Sequence, residues 1–366
     1  MVHWTRAWIT LRCEYRRGTS LCISRALLVL IFAVGVFSGC GTVPDVSALI
    51  HDRLLYRNDP QFVGPHGPLT AKQAQTIIAR LQEHQQTPTD ILERHLAFEQ
   101  SLSAVPLVLG NKVTLLRNGT ATYQAMLAAI HGASDNINLE MYTFTDGPIG
   151  KMFADAFIDR QQHGVQVNLM YDSLGSMATS AGFFDRMRQN GIMVLQYRPI
   201  NPFETKLPWS FSHRNHRKML VVDGRIAFTG GINVSEDYAS GPSSSKTATP
   251  PEDWRDTDIE VDGPVVAEFQ RIFINEWNYQ KGPPLKSGNY LPKLDQQGTQ
   301  IVRVIGSVPE RFSLIYVTLV SAIVNSETNV PMPTLPRIIR CSTRLNMPLA
   351  VAWTYGCCCR TRPTNR

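Results

Sequence analysis

His216, Lys218 and Asp223 stand in the spacing H-x-K-x4-D, followed by Gly230, Gly231 and Asn233. These residue types in this order suit a phosphate diester. On a strand, positions i and i+2 face the same side. The imidazole of His216 and the ammonium of Lys218 are therefore expected to share one pocket. A histidine titrates near neutral pH and can serve as nucleophile or acid, while a fixed positive charge beside it stabilises the non-bridging oxygens. Gly230 and Gly231 permit close approach of a ligand to the backbone, and Asn233 can donate to a phosphate oxygen. Asp223 has two readings, a supporting residue of the site or simply the first residue of an Asp-Gly hairpin turn. Its odd offset from His216 does not place it plainly on the same face. The plainer alternatives for the other two are a surface histidine and a strand-edge charge.

The elements that must hold these residues follow from the hydrophobic pattern. Met219 to Val222 continues the strand, Asp223-Gly224 turns it, and Arg225 to Thr229 returns. Upstream, Asn111 to Leu116, Ile137 to Phe144, Val165 to Tyr171 and Ile192 to Tyr197 read as strands. Ile137 to Phe144 alternates apolar and polar residues, which predicts a strand with one covered face. Helices are expected over Tyr123 to Ala133, Gly150 to Gln162 and Phe183 to Gln189. This cadence predicts an α/β fold, a mixed sheet with helices on both faces. Glu140 and Asp172 fall near the carboxyl ends of their strands, where α/β sites tend to lie. Asp172 reads as a solvated strand-end carboxylate; Glu140 is left open. Beyond the central stretch, Trp254 to Asp262 reads as a strand and Val265 to Tyr279 as an amphipathic helix. Ile301 to Ile305 reads as a further strand and Ser313 to Asn325 as a helix.

The chain has 366 residues and a formal charge of +6, which fits anionic partners. None of its 7 cysteines lies between 41 and 340, which excludes a disulfide or a cysteine metal site in that middle stretch. Arginines precede the apolar run Ala26 to Phe37, which is shorter than the ~20 residues a bilayer span needs. It suits the apolar core of an export signal over 1–39. The run ends in Phe37-Ser38-Gly39-Cys40, which resembles a bacterial lipoprotein processing site and implies a lipid anchor on Cys40. The plainer alternative is an ordinary signal peptide. Residues 40–104 read as a connector with two helices that dock on the domain that follows.

The central stretch, with L-E-M-Y-T-F at 139–144, Y-D-S-L-G-S at 171–176 and W-R-D-T-D at 254–258, resembles the phospholipase D superfamily, and within it the bacterial cardiolipin synthases. The resemblance covers about 105 to 282 and continues weakly to about 330. It implies a phospholipase D-like domain at 105–282 and the start of an incomplete second copy at 283–330. It also implies an enzyme without metal or cofactor that works through a phosphohistidine. One histidine attacks phosphorus and another protonates the leaving alcohol. By this resemblance His216 is nucleophile or acid, Lys218 and Asn233 hold phosphoryl oxygens, and Asp223 supports them. The implied substrate is an anionic phospholipid, phosphatidylglycerol, at a membrane reached through the lipid anchor on the periplasmic side of either the inner or outer membrane. Nucleic acid is the less favoured partner.

Single chains of this family usually carry two H-x-K-x4-D motifs, yet no histidine follows His216. From Pro331 to Arg366 there is no Asp, Glu or Lys, but six Arg, five Pro and four Cys. That composition does not continue an α/β domain, and 331–366 is expected to be an aberrant tail from a frameshift or premature end. A zinc-binding or redox tail is the alternative, although three adjacent cysteines lack the spacing of a zinc site. The rival functional readings are a single-motif phosphodiesterase or nuclease that pairs two copies of His216 as a homodimer, and an inactive truncated lipoprotein.

Overall fold

The computed structural model describes residues 59–83, 89–103, 105–199, 214–239, 256–307, 318 and 350–352. The signal segment, Cys40, the loop beyond 239, the helix expected at 313–325 apart from Thr318, and nearly all of 331–366 lie outside the described residues.

A mixed sheet forms the frame. Its strands are β1 (Phe62–Gly64), β2 (Gly67–Pro68), β3 (Leu107–Arg117), β4 (Asn136–Met141), β5 (Gln166–Asp172), β6 (Met193–Tyr197), β7 (Met219–Val222), β8 (Ile226–Gly230), β9 (Thr257–Asp262), β10 (Gln300–Val304) and β11 (Ala350–Ala352). The order across the sheet is β11-β10-β3-β9-β8-β7-β4-β5-β6, with β1 on β3 and β2 on β1. β4, β5 and β6 run parallel, whereas β7 is antiparallel to β4 with Glu140 opposite Met219. The start of β7 therefore lies at the carboxyl ends of the parallel strands.

The helices are α1 (Ala71–Glu83), α2 (Thr89–Leu102), α3 (Asn118–His131), α4 (Pro148–Gln162), α5 (Ala181–Gln189) and α6 (Val266–Tyr279). α1 opens on a capping box, in which Gln73 accepts from the Thr70 amide and Thr70 Oγ1 accepts from the Gln73 amide. Both faces of the sheet are covered, as the strand–helix cadence predicts. Leu220 and Val222 of β7 pack with α3, α4 and α5, while Met219 and Val221 pack under Phe269, Phe273 and Trp277 of α6. Period-two alternation thus divides one strand between two cores.

Two expectations change. β4 has no solvated face: every residue from Asn136 to Met141 is buried. Its polar residues lie on the α6 side, where Asn168 donates to Asn138, and Asn138 to Asn136 and Gln270. Asp172 is not solvated either, being 1% exposed, and Oδ1 accepts from the amides of Leu174 and Gly175. It closes the turn after β5.

The sheet runs through the segments before 105 and after 282. β1 and β10 both pair with β3, and Phe62, Ala74, Ile78, Leu96 and Leu107 form a third core against Ile301. Arg303 of β10 is ion-paired to Glu99 of α2 at 3.2 Å, both buried, and donates to Gln100 at 2.8 Å. The connector helices thus dock on the sheet.

Candidate active site

The turn after β7 places the last residue of the motif, Asp223. Asp223 and Gly224 have φ of 53° and 60°, the pattern of a type I′ hairpin turn. The Asp223 carboxylate accepts from Ser134 N and Oγ and from the amides of Asp135 and Asn136, all at 2.8–2.9 Å. These four bonds hold the α3–β4 loop. Asp223 is separated from Lys218 by the full length of β7, about 16 Å at the rise of an extended chain. Its place is structural, and it does not meet His216.

His216 and Lys218 do meet, although not on a strand. β7 begins only at Met219, and residues 214–218 make no ladder. The alternation nonetheless extends through them. Lys218 Nζ is 3.1 Å from His216 Nδ1 and 2.9 Å from the His216 carbonyl. An ammonium has donors only, so Nδ1 accepts and the ring hydrogen resides on Nε2. Burial, then the charge of Lys218, holds the His216 pKa down to about 4. The ring is therefore neutral near pH 7, as a nucleophile must be.

Tyr142 was not singled out by spacing, yet it forms the wall of this pair. Its ring centroid is 4.3 Å from that of His216, and Lys218 Nζ stands 5.1 Å over its face. Asn233 positions that wall. Its Oδ1 accepts from the Thr143 amide at 3.0 Å and its Nδ2 donates to Tyr238 at 3.0 Å. Tyr123 Oη in turn donates to the Asn233 carbonyl at 2.5 Å.

Gly230 and Gly231 make room for the protein's own carboxylates. A Cβ on Gly230 would stand 2.1 Å from Asp258 Oδ1 and 2.4 Å from the Thr257 carbonyl. One on Gly231 would stand 2.1 Å from Asp256 Oδ1. Asp258 accepts from the Ile232 amide at 3.0 Å, and burial pushes its pKa up to about 7. Both aspartates interact electrostatically with Lys218, which is 1% exposed. Two acidic side chains and an aromatic face thus surround the buried Lys218.

Arg217 faces away from His216 and Lys218, toward α6. It pairs with Glu140 at 2.9 Å and Glu276 at 3.1 Å, and donates to the Ser307 carbonyl at 2.7 Å. Asn215 donates to Glu140 as well. Glu140 is therefore part of the site's support. Burial raises its pKa, Arg217 opposes that, and Glu276 adds to it.

The arrangement is a neutral imidazole beside a buried ammonium at the carboxyl ends of parallel strands, where ligands of α/β sheets bind. Among the described residues no group of His, Cys, Asp and Glu is placed to hold a metal ion. Residues 126–247 match the family model described as "Cardiolipin synthase, PLD-like domain", and the stretch from His216 to Asn233 falls within it. This chain carries a phospholipase D-like domain.

The chain is 35% identical to "Cardiolipin synthase A" of Pseudomonas putida over 191 residues, 50% of this chain and 37% of the relative. It is 31% identical to "Cardiolipin synthase" of Alkalihalophilus pseudofirmus over 208 residues, 56% of this chain and 40% of the relative. The chain thus spans about two-fifths of the length of these curated relatives. A solved structure of Nuc from Salmonella Typhimurium, a phospholipase D family member, is similar to 48% of this chain and 99% of its own. The identity is 18% and the TM-score 0.34.

Proposed function

We propose that the phospholipase D-like domain transfers a phosphatidyl group from an anionic phospholipid, phosphatidylglycerol, through a phosphohistidine on His216. The observation that carries this is the His216–Lys218 pair, a neutral ring with a buried ammonium 3.1 Å from Nδ1. As Lys218 turns from Nδ1 to the phosphoryl oxygens, Nδ1 gains a proton from solvent while Nε2 gives its own to solvent, and the freed Nε2 lone pair attacks phosphorus. The Nε2–P bond forms as the P–O bond to the leaving alcohol breaks. The acceptor hydroxyl then displaces the histidine, giving a new phosphodiester; with water the same chemistry is hydrolysis. The kinship to cardiolipin synthases supports a phospholipid donor.

These 366 residues hold one H-x-K-x4-D motif. The group that protonates the leaving alcohol would come from a second motif, in a second copy of this chain or in further sequence. A single motif favours a second reading, a homodimeric phosphodiesterase with two copies of His216 at one site. A lipid on Cys40 would hold the enzyme at its substrate's surface on the periplasmic side; among the described residues no helix is long and apolar enough to cross a membrane. Incubation with phosphatidylglycerol and, separately, with single-stranded DNA tests the assignment, with mass measured in solution. Cardiolipin and glycerol are the expected products. DNA cleavage by a dimer without lipid turnover would replace this reading with the second. Loss of lipid labelling in Cys40→Ala tests the anchor.

A further inference from the structure

The ionic cluster behind the site has a role that sequence motifs do not assign. We propose that Arg217 is a positioning residue for His216 and Lys218, and that it ties them to the chain leaving β10. The inference rests on the catalytic role given to His216 above. Three observations carry it.

First, Arg217 lies between the two reacting residues but faces the opposite side. Because 214–218 make no ladder, the orientation of that segment depends on its side chains. Arg217 is 5% exposed, its amide donates to Asn215 Oδ1 at 3.1 Å, and its guanidinium reaches Glu140 and Glu276. Glu140 is on β4 and Glu276 on α6, so the segment is fixed to a strand and a helix together.

Second, the cluster is a poor source of stability. Desolvating two carboxylates and a guanidinium costs about as much as their attraction returns, and apolar residues of the same volume would often serve as well. The planar fork of a guanidinium does fix direction, because its donors hold several acceptors at set angles.

Third, Arg217 also donates to the carbonyl of Ser307, just past β10. The segment that opens the region after 300 therefore shares a hydrogen-bonded group with the nucleophile's neighbour.

The test uses the full chain with Arg217→Met, Arg217→Lys and Glu276→Gln. Turnover is read on phosphatidylglycerol. The titration of His216 is read by NMR on 13C-labelled histidine, assigned among the 9 histidines by His216→Asn. For Arg217→Met we expect kcat to fall about 100-fold with KM within about threefold, as for a reacting group displaced by about 1 Å. The His216 midpoint should rise from about 4 toward 6.5 as the ring leaves its slot beside Lys218. Arg217→Lys should recover less than about tenfold, since one ammonium cannot span two carboxylates and a carbonyl. Hydrogen exchange of residues 301–307 should accelerate in both. Glu276→Gln keeps the arginine and covers the case in which Arg217→Met does not fold; a loss of about tenfold in kcat is expected. A folded Arg217→Met with kcat within threefold and an unmoved midpoint would overturn the proposal, as would unchanged values in Glu276→Gln. A shifted midpoint in a protein whose wild type does not turn over phosphatidylglycerol would support the positioning role and discard the substrate.

Discussion

His216 is an imidazole whose surroundings disfavour its charged form. The cause is burial first and Lys218 second, and the consequence is a pH dependence of known sign. The folded pKa lies below the ordinary 6.5, so neutrality of the ring contributes stability that is full above 6.5 and is lost as pH falls through about 4. The acidic limb of kcat/KM is therefore expected near pH 4. Removing the ammonium with Lys218→Met should move that limb upward by a fraction of the shift, because burial remains. A wild-type limb at 6.5 would show that His216 is solvated. Asp223 belongs at this scale too. Asp223→Ala removes the acceptor of four hydrogen bonds and should cost about 3 kcal/mol in urea unfolding, with kcat per folded molecule unchanged. Of the residues named from the sequence, His216 and Lys218 were legible because alternation of side chains does not require a ladder. Asp223 was legible as a turn residue because Asp-Gly is a strong local signal. Asn233 was legible only as a polar residue. Its bond to the Thr143 amide is long-range, and local spacing carries no trace of it.

At the scale of elements, the site is where β4, β5, β7, β8 and β9 end or begin together. Gly230 and Gly231 let β9 enter close to β8, but the two differ in what a side chain would meet. At Gly230 a methyl group would strike the backbone of Thr257 and Asp258; at Gly231 the three nearest atoms all belong to the end of the Asp256 side chain. Gly230→Ala is expected to lower stability by about 2–3 kcal/mol. Gly231→Ala should leave the melting temperature nearly unchanged while displacing the Asp256 carboxylate from Lys218. Equal destabilisation by both, measured by thermal unfolding, would contradict the distinction. The strands and helices themselves were legible from period and punctuation, to within a few residues at their ends. The second cover of β4 was not. Asn136, Asn138 and Glu140 look solvent-facing in a period-two pattern, and only the arrival of α6 from more than a hundred residues downstream turns them into a buried ladder.

For the molecule as a whole, the central question is how regions distant in sequence reach one sheet. β1 precedes the phospholipase D-like resemblance and β10 follows it, yet both pair with β3. The Glu99–Arg303 pair joins the same regions from the side. Arg303→Leu removes the ion-pair partner of the buried Glu99 and should cost up to about 3–5 kcal/mol in urea unfolding; the double variant Glu99→Leu with Arg303→Leu should recover much of it. Additive losses would contradict a direct pairing. The helical periodicity signalled docking helices within 40–104 but could not show which strand receives them, because a salt bridge across roughly two hundred residues leaves no local pattern.

The central claim about the site is that His216 takes the phosphoryl group. The direct measurement is rapid quenching of the full chain with radiolabelled phosphatidylglycerol at neutral pH, followed by mapping of the labelled peptide. The expected result is an acid-labile phosphatidyl adduct on His216 that forms at the rate of the first turnover and is absent from His216→Asn. Turnover of the lipid with no adduct at His216, or unchanged turnover by His216→Asn, would contradict it.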